Sequence, residues 1–354
     1  MANPKNKFTL REMGPSDSEE VERLISNFDG DLVTRFQVDA YKAIISGSKY
    51  RTIGVVVESA GHDGLVGMGT LRFSTVQFNG DVLPLAFLDG LRVHPDFRRR
   101  GLGYQIANWR VQKARELYGD RCAIGTGMEV NNHASRAVAQ KWCREVIAPA
   151  FGIRILPIRT RPPRRLNGVT VREIEPHEFE EFAAGQNSFY KEYNLFEPGD
   201  AESIKSTLEV TVDGKKPYRC YAAVDSQGNL LAGANTWARG MLKSDTLVNP
   251  PAELRVVNNI FHLLPSDFTI RDISVYGIWY RSAQIHIARF LWESIRWLCK
   301  DQGTTIVTGF DPNDPVQAVV KLKPWHQPRP KIALAIHGPT PIDRNKPLFG
   351  TGRV

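Results

Sequence analysis

Residues 9–20 read TLREMGPSDSEE, and residues 170–181 read TVREIEPHEFEE. Thr, Arg, Glu, Pro and a pair of glutamates recur in register. An internal repeat of this kind constrains a fold more than composition does, because whatever unit one copy builds the other must build too. Each copy alternates like a strand, turns at a proline and enters an acidic helix start. In the first copy, Ser16 and Glu19 have the spacing of a capping box. Two more matches follow in order. Val55-Val56-Val57-Glu58 leads through Gly61 and Gly64 to Val66-Gly67-Met68-Gly69-Thr70, and Tyr221 to Asp225 leads through Gly228 to Ala232-Gly233-Ala234-Asn235-Thr236. Both read as two strands joined by a tight turn. Near the end of each copy, Thr126 to Asn131 answers Thr308 to Asn313, with Gly127 and Gly309 set 182 positions apart (309 − 127). The chain is therefore expected to be two tandem copies of one α/β unit, residues 1–165 and 166–354. Each copy runs strand, helix, antiparallel strands, strand, helix, strand, helix.

The 354 residues fit two domains, and a hydrophobic fraction of 42% is enough to fill two cores. The N-terminus has no apolar stretch of the signal-peptide kind, and no apolar run is long enough to span a bilayer. The four cysteines are scattered without metal-ligand spacing, so no metal is expected. A reduced, cytoplasmic protein is the expectation. A net charge of +8 favours anionic partners without choosing among them. Arg154, Arg159, Arg161, Arg164 and Arg165 cluster in a Pro-containing stretch that reads as a solvated linker. It lacks the interleaved aromatics of a nucleic-acid arm, so nucleic acid is not favoured as a partner.

Phe87 to Val93 reads as a strand stopped by His94-Pro95-Asp96-Phe97. Arg98-Arg99-Arg100-Gly101-Leu102-Gly103 follows, and then a helix in which Ile106, Ala107, Val111, Ala114 and Leu117 recur at helical spacing up to Gly119. A strand, a glycine turn and a helix start aim unpaired backbone N–H groups and the positive end of a helix dipole at one spot. Gly101 and Gly103 allow close approach, and the three arginines add positive charge. The expected ligand carries a pyrophosphate. A dinucleotide fingerprint would need glycine at Ile106, and the Gly-Lys-Ser/Thr of a P-loop is missing.

The segment GLRVHPDFRRRGLG resembles the acetyl-CoA motif of GNAT acetyltransferases, R/Q-x-x-G-x-G/A, with Arg98, Gly101 and Gly103 in the signature places. In their order the tandem copies resemble the plant hookless-type N-acetyltransferases. The resemblance implies two tandem GNAT-like domains, each with a mixed, mostly antiparallel central sheet flanked by helices. It implies acetyl-CoA as co-substrate and direct transfer of the acetyl group to a primary amine of a small molecule or peptide. The pantetheine arm would lie along Leu91, Arg92 and Val93 beside a splay in the sheet, the phosphates would meet Arg98, Arg99, Arg100, Gly101, Leu102 and Gly103, and Asn132 would border the cofactor.

Proton transfer needs a carboxylate or its equivalent. Glu129 is the first candidate base, just past the strand flanking the cofactor strand. Asp89 is the second; on a regular strand it shares a face with Leu91 and Val93, whereas a bulge would change that. The family's usual tyrosine donor is replaced by Ala139, which leaves the general acid unassigned. That gap motivates a second reading, a non-catalytic acyl-CoA sensor; a basic interaction protein is the third.

The 182-residue offset places Arg98, Gly101 and Gly103 opposite Tyr280, Ala283 and Ile285, so the second copy is expected to keep the loop's length but lose its signature. The second copy also holds extra chain between Thr236 and Arg271. There Leu254, Val257, Ile260, Phe261 and Leu264 have roughly helical spacing, suited to core packing or to walling the acceptor pocket of the first copy.

Overall fold

The structure is a computed structural model that describes residues 8–26, 32–261, 264–320 and 331–350. The first repeat supplies β1 (Phe8–Glu12), α1 (Ser18–Ser26), β2 (Leu32–Phe36), β3 (Arg51–Ser59), β4 (Gly67–Phe78), β5 (Asp81–Val93), α2 (Leu102–Tyr118), β6 (Ala123–Glu129), α3 (His133–Ala139) and β7 (Glu145–Pro157). The second supplies β8 (Val169–Glu173), α4 (Phe179–Tyr190), α5 (Ala201–Glu209), β9 (Tyr218–Asp225), β10 (Leu230–Trp237), β11 (Lys243–Leu247), α6 (Ala252–Phe261), β12 (Thr269–Ile270), β13 (Asp272–Tyr280), α7 (Ile285–Leu298), β14 (Thr305–Phe310), α8 (Val316–Val319) and β15 (Lys331–His337). The expected tandem α/β architecture is present. The large sheet is antiparallel except where β5 meets β6 and β13 meets β14.

The repeated opening motif has a physical basis. Arg11 grips Asp17 through two hydrogen bonds of 2.8 and 2.7 Å, and Arg172 grips Glu178 through two of 2.7 Å. Each buried carboxylate also accepts a backbone N–H three residues back, from Gly14 or Glu175. The acid thus fixes the turn that joins strand to helix, and bidentate pairs of this kind are among the stronger polar contacts. Asp17, rather than the expected Ser16–Glu19 pair, closes the first turn.

One twelve-stranded sheet runs through both repeats in the order β1-β3-β4-β5-β6-β15-β7-β14-β13-β10-β9-β8. The repeats exchange strands. The last strand of the second repeat, β15, lies between β6 and β7, while β7 of the first repeat pairs with β14 of the second. Neither β7 nor β15 is anticipated by the sequence reading. Arg154, expected in a solvated linker, is buried on β7 with its guanidinium 4.9 Å from the Phe310 ring; Arg161, Arg164 and Arg165 are exposed. A charged side chain on a strand is read as a loop residue unless its neighbours are known.

The extra chain of the second repeat crosses to the first. Its β11 pairs with β2, and with β12 makes a three-stranded sheet. The expected core role of α6 does not hold: Val256, Val257 and Ile260 are exposed, while Leu254 and Leu264 are half-buried. The Phe261 side chain lies outside the described residues. Among the described residues no helix is long and apolar enough to cross a membrane, and no cluster of three metal-ligating side chains occurs.

Strand exchange makes each repeat dependent on the other. Ile332, Leu334 and Ile336 of β15 are almost wholly buried, each contributing roughly 1.5–3 kcal/mol of apolar burial. Residues 1–165 expressed alone should therefore be insoluble or molten, and co-expression with residues 166–354 should restore a soluble complex. Sharp, dispersed amide resonances from the isolated first repeat would contradict this.

Candidate active site

The site is made where the sheet opens. Strands β5 and β6 pair in parallel through Leu85–Ala123, Ala86–Ile124 and Phe87–Gly125, and then no further ladder pair joins them. On the other side of β5 the register with β4 shifts between Met68–Arg92 and Thr70–Asp89, so β5 carries one extra residue. Gly90 takes the left-handed conformation at this bulge, with φ +61°. The bulge corrects the regular-strand expectation for Asp89. Leu91 and Val93 pack towards Leu102 and Ile106 of α2, whereas Asp89 turns to the opposite face with Arg72.

Arg110 of α2 secures this arrangement. It is 2% exposed and donates from Nη1 to the carbonyls of Thr70 (3.0 Å) and Asp89 (2.9 Å). Burial pulls the guanidinium pKa down to about 10, partly offset by the charge of Asp89, so it remains a cation at neutral pH.

Between the separated strands lies a polar cleft bordered by Asp89, Leu91, Arg92, Thr126, Asn132 and Trp142. Asn132 caps α3, accepting the Ser135 N–H at 2.9 Å, and so reaches the cleft as the helix start that forms its rim. Trp142 was not anticipated. Its spacing from Ser135, Val138 and Ala139, which border the same cleft, follows one helical face and could have flagged it.

At the mouth stands the loop before α2. Gly101 takes φ +79° with open space where a Cβ would stand, so glycine is needed there for backbone conformation. Arg99 is also left-handed, at φ +60°. The first N–H groups to turn into the helix are those of Tyr104 and Gln105, both on the Gly101 carbonyl, so the N–H groups of the preceding turn have no intrahelical acceptor. Arg98, Arg99 and Arg100 are exposed around it. Arg98 donates to the Val93 carbonyl (3.2 Å), and the Arg100 guanidinium lies 5.2 Å from the Phe97 ring. The Leu102 side chain is 1% exposed in the core, so only its backbone faces the mouth. Gly103 sits beside Val138, Val93 and Leu91, where a Cβ would make ordinary contact.

Asp89 lies at the inner end of the cleft. About half of its side chain (49%) is exposed, and it borders that recess. Burial pushes its pKa up. The Arg72 guanidinium at 3.0 Å, the Gly90 N–H at 2.8 Å and the fields of Arg239 and Lys243 together outweigh burial and hold it below the usual carboxylate range. Arg239 and Lys243 come from the extra chain of the second repeat, at and beside β11, so this segment rather than α6 reaches the Asp89 neighbourhood. Glu129 is exposed at the end of β6 opposite Ile332 and lines neither the cleft nor the cavity described next.

Behind the splay, on the face of the sheet away from α2, lies an apolar cavity of about 100 Å³. Arg72, Leu85, Phe87 and Gly125 come from the first repeat, Leu334 and Ile336 from β15, and Tyr276 from β13. Gly127 borders both the cavity and the cleft.

The second repeat keeps the same frame but closes it. β13 has its own bulge at Gly277 (φ +60°), and β13 and β14 part after Ser274–Val307. With Gly277 matched to Gly90, Ile278 corresponds to Leu91. The Ile278 carbonyl accepts a 2.5 Å hydrogen bond from the Tyr190 hydroxyl, and Tyr193 beside it donates to Asp314 at 3.2 Å. The expectation that the loop keeps its length is also corrected. Eleven positions separate Gly90 from the left-handed Gly101, and six separate Gly277 from the left-handed Ala283. Tyr280 is thus the last residue of β13, opposite Val93, and not a counterpart of Arg98. The 182-residue offset derives from a motif beyond the helix and misses the deletion before it.

Residues 22–143 match the model of the acetyltransferase (GNAT) family, so this segment is similar to that family. Its fold is similar to that of Saccharomyces cerevisiae N-myristoyltransferase with bound myristoyl-CoA, with a TM-score of 0.68 at 9% identity over 95% of this chain and 84% of that one. It is also similar to GCN5-related N-acetyltransferases from Sphaerobacter thermophilus (TM-score 0.57, 15% identity, 97% of this chain and 100% of that one) and Kribbella flavida (TM-score 0.51, 16% identity, 92% and 71%). At these identities the likeness is one of fold. No curated protein matches the chain.

The bulge supplies a test of the site's scaffold. Arg110→Met preserves length but leaves the Thr70 and Asp89 carbonyls without their buried donor. It should lower stability by about 2 kcal/mol in urea unfolding. An unchanged midpoint would remove Arg110 from this role.

Proposed function

We propose that the protein is an acetyl-CoA-dependent N-acetyltransferase that holds one donor in the first repeat and transfers its acetyl group directly to a primary amine. One observation carries the reading: the first β5–β6 splay is open and ends at a loop with free N–H groups and three arginines, whereas the second splay is stoppered by Tyr190. The pyrophosphate would sit at the start of α2, with Arg98, Arg99 and Arg100 around it and the backbone of Gly101, Leu102 and Gly103 beneath. The pantetheine arm would lie along Leu91, Arg92 and Val93, with Asn132 on the opposite rim. The thioester would then reach the recess where Asp89 stands.

In the transfer, the amine nitrogen attacks the thioester carbon, the C–N bond forms, the C–S bond breaks and the thiolate leaves. Only the neutral amine can attack. Arg72, Arg239 and Lys243 offset the pull of Asp89, Asp245 and Asp272 on a bound ammonium. We assign Asp89, rather than Glu129, to receive the proton, directly or through a water, because Asp89 borders the cleft and pairs with Arg72, which borders the cavity. Its depressed pKa makes it a weak base that stays ionised, a suitable acceptor once attack has made the nitrogen strongly acidic. This protein would act on a soluble amine; neither a membrane nor nucleic acid is needed.

Two variants test the assignment. Asp89→Asn should lower kcat by about 10²–10⁴-fold while the calorimetric Kd for acetyl-CoA stays within twofold; a fall confined to Glu129→Gln would return the role to Glu129. Arg72→Met removes the cation that holds the Asp89 pKa down and leaves burial to push it up. Loss of kcat/KM on acidification should then begin at a higher pH than in the unaltered protein, and superimposable pH profiles would contradict the pairing. Thiol release that no amine raises above background hydrolysis would leave the protein an acyl-CoA sensor.

A further inference from the structure

The cavity behind the splay has its own route to solvent. Lys49, Tyr50, Gln186, Glu197, Asn235 and Tyr276 border both the cavity and a second, polar recess that opens beside the start of α5. At this shared rim the Glu197 carboxylate accepts from Lys49 Nζ and from the Tyr50 hydroxyl, each at 2.9 Å. At the inner end the cavity reaches Gly127, whose backbone also borders the donor cleft, and Arg72, the partner of Asp89. The space is therefore a passage with a polar outer rim, an apolar middle and a charged inner end.

The middle is apolar because of strand alternation and strand exchange together. Leu85 and Phe87 of β5 point away from α2, and Leu334 and Ile336 of β15 face them across the seam. Between them, Gly125 and Gly127 occupy alternate positions of β6 and present no side chain. A Cβ at Gly125 would stand 3.6 Å from Phe87 and 3.8 Å from Leu85, in ordinary contact, and its φ is not in the left-handed region. Glycine is required there by neither backbone strain nor steric clash. What it leaves is room.

From this geometry we infer that the passage is the acceptor site and that the acceptor is an amphipathic primary amine. Its hydrocarbon body lies between Phe87 and Leu334, its amine lies at the Arg72–Asp89 end, and its outer end meets the polar rim. A donor's acyl tail would need only a blind pocket behind the thioester. A second substrate must enter and leave while the donor stays bound, and this passage opens to solvent apart from the donor cleft. The inference rests on the acyl-transfer reading.

The test compares straight-chain primary amines from ethylamine to octylamine at saturating acetyl-CoA, read as thiol release, in the unaltered protein and in Gly125→Val. Valine suits a strand, and its methyl groups would fill the floor of the passage at Phe87. In the unaltered protein kcat/KM should rise roughly threefold to fourfold per methylene, the factor that about 0.8 kcal/mol per buried CH₂ gives. In Gly125→Val that rise should flatten, with the acetyl-CoA Kd unchanged by calorimetry. Rates independent of chain length, or an equal rise in both proteins, would overturn the inference. So would a Gly125→Val defect confined to longer acyl-CoA donors, which would make the passage the home of the acyl tail. Failure of acetyl-CoA to bind the unaltered protein would instead sink the acyl-transfer reading itself, and calorimetric titration with octylamine alone would still report whether the passage takes an apolar amine.

Discussion

The hydrogen bonds from Arg110 to the Thr70 and Asp89 carbonyls hold the one irregularity on which the site depends. A strand in the middle of a sheet would otherwise satisfy its backbone through its neighbours. Here β5 gains a residue at Gly90, loses its ladder to β6 after Phe87, and leaves polar backbone exposed inside the protein. A buried guanidinium serves the inner carbonyls. The outer part is left open as a cleft. The same bulge reverses which face each side chain takes, so Leu91 and Val93 anchor on α2 while Asp89 pairs with Arg72.

The second repeat shows what happens when such an opening is not used. Its bulge at Gly277 is retained, yet the backbone behind it is satisfied internally, with Tyr190 on the Ile278 carbonyl. The loop that would have turned N–H groups outward is five residues shorter, from eleven positions to six. An unfilled splay with no ligand would leave buried polar groups unpaired at a cost of about 1–3 kcal/mol each. A tyrosine hydroxyl removes that cost and the binding site together. The second repeat also serves the first: β15 completes the sheet beside β6, and Arg239 and Lys243 shape the charge around Asp89.

Much of this was legible in the sequence where the determinants are local. The opening motif repeats because an arginine and an acid six positions later clamp one turn, and that pair survives in both copies as Arg11–Asp17 and Arg172–Glu178. The loop before α2 was legible because glycine conformation and helix-end charge act within a few residues. What escaped depends on distant partners. β7 and β15 are ordinary alternating strands whose neighbours lie in the other repeat, so nothing nearby in sequence marks the exchange. Arg110 reads as a solvated helix residue until the bulge it serves is known. The sequence places Glu129 ahead of Asp89 as a base, and it gives no sign of the single inserted residue in β5 that sets which face Asp89 takes.

The first splay is open, and the second holds the Tyr190 hydroxyl on the Ile278 carbonyl. Calorimetric titration with acetyl-CoA measures this directly. It should give one molecule bound per chain, with affinity sharply reduced in Arg98→Ala. A stoichiometry of two per chain, or an affinity indifferent to Arg98, would contradict it.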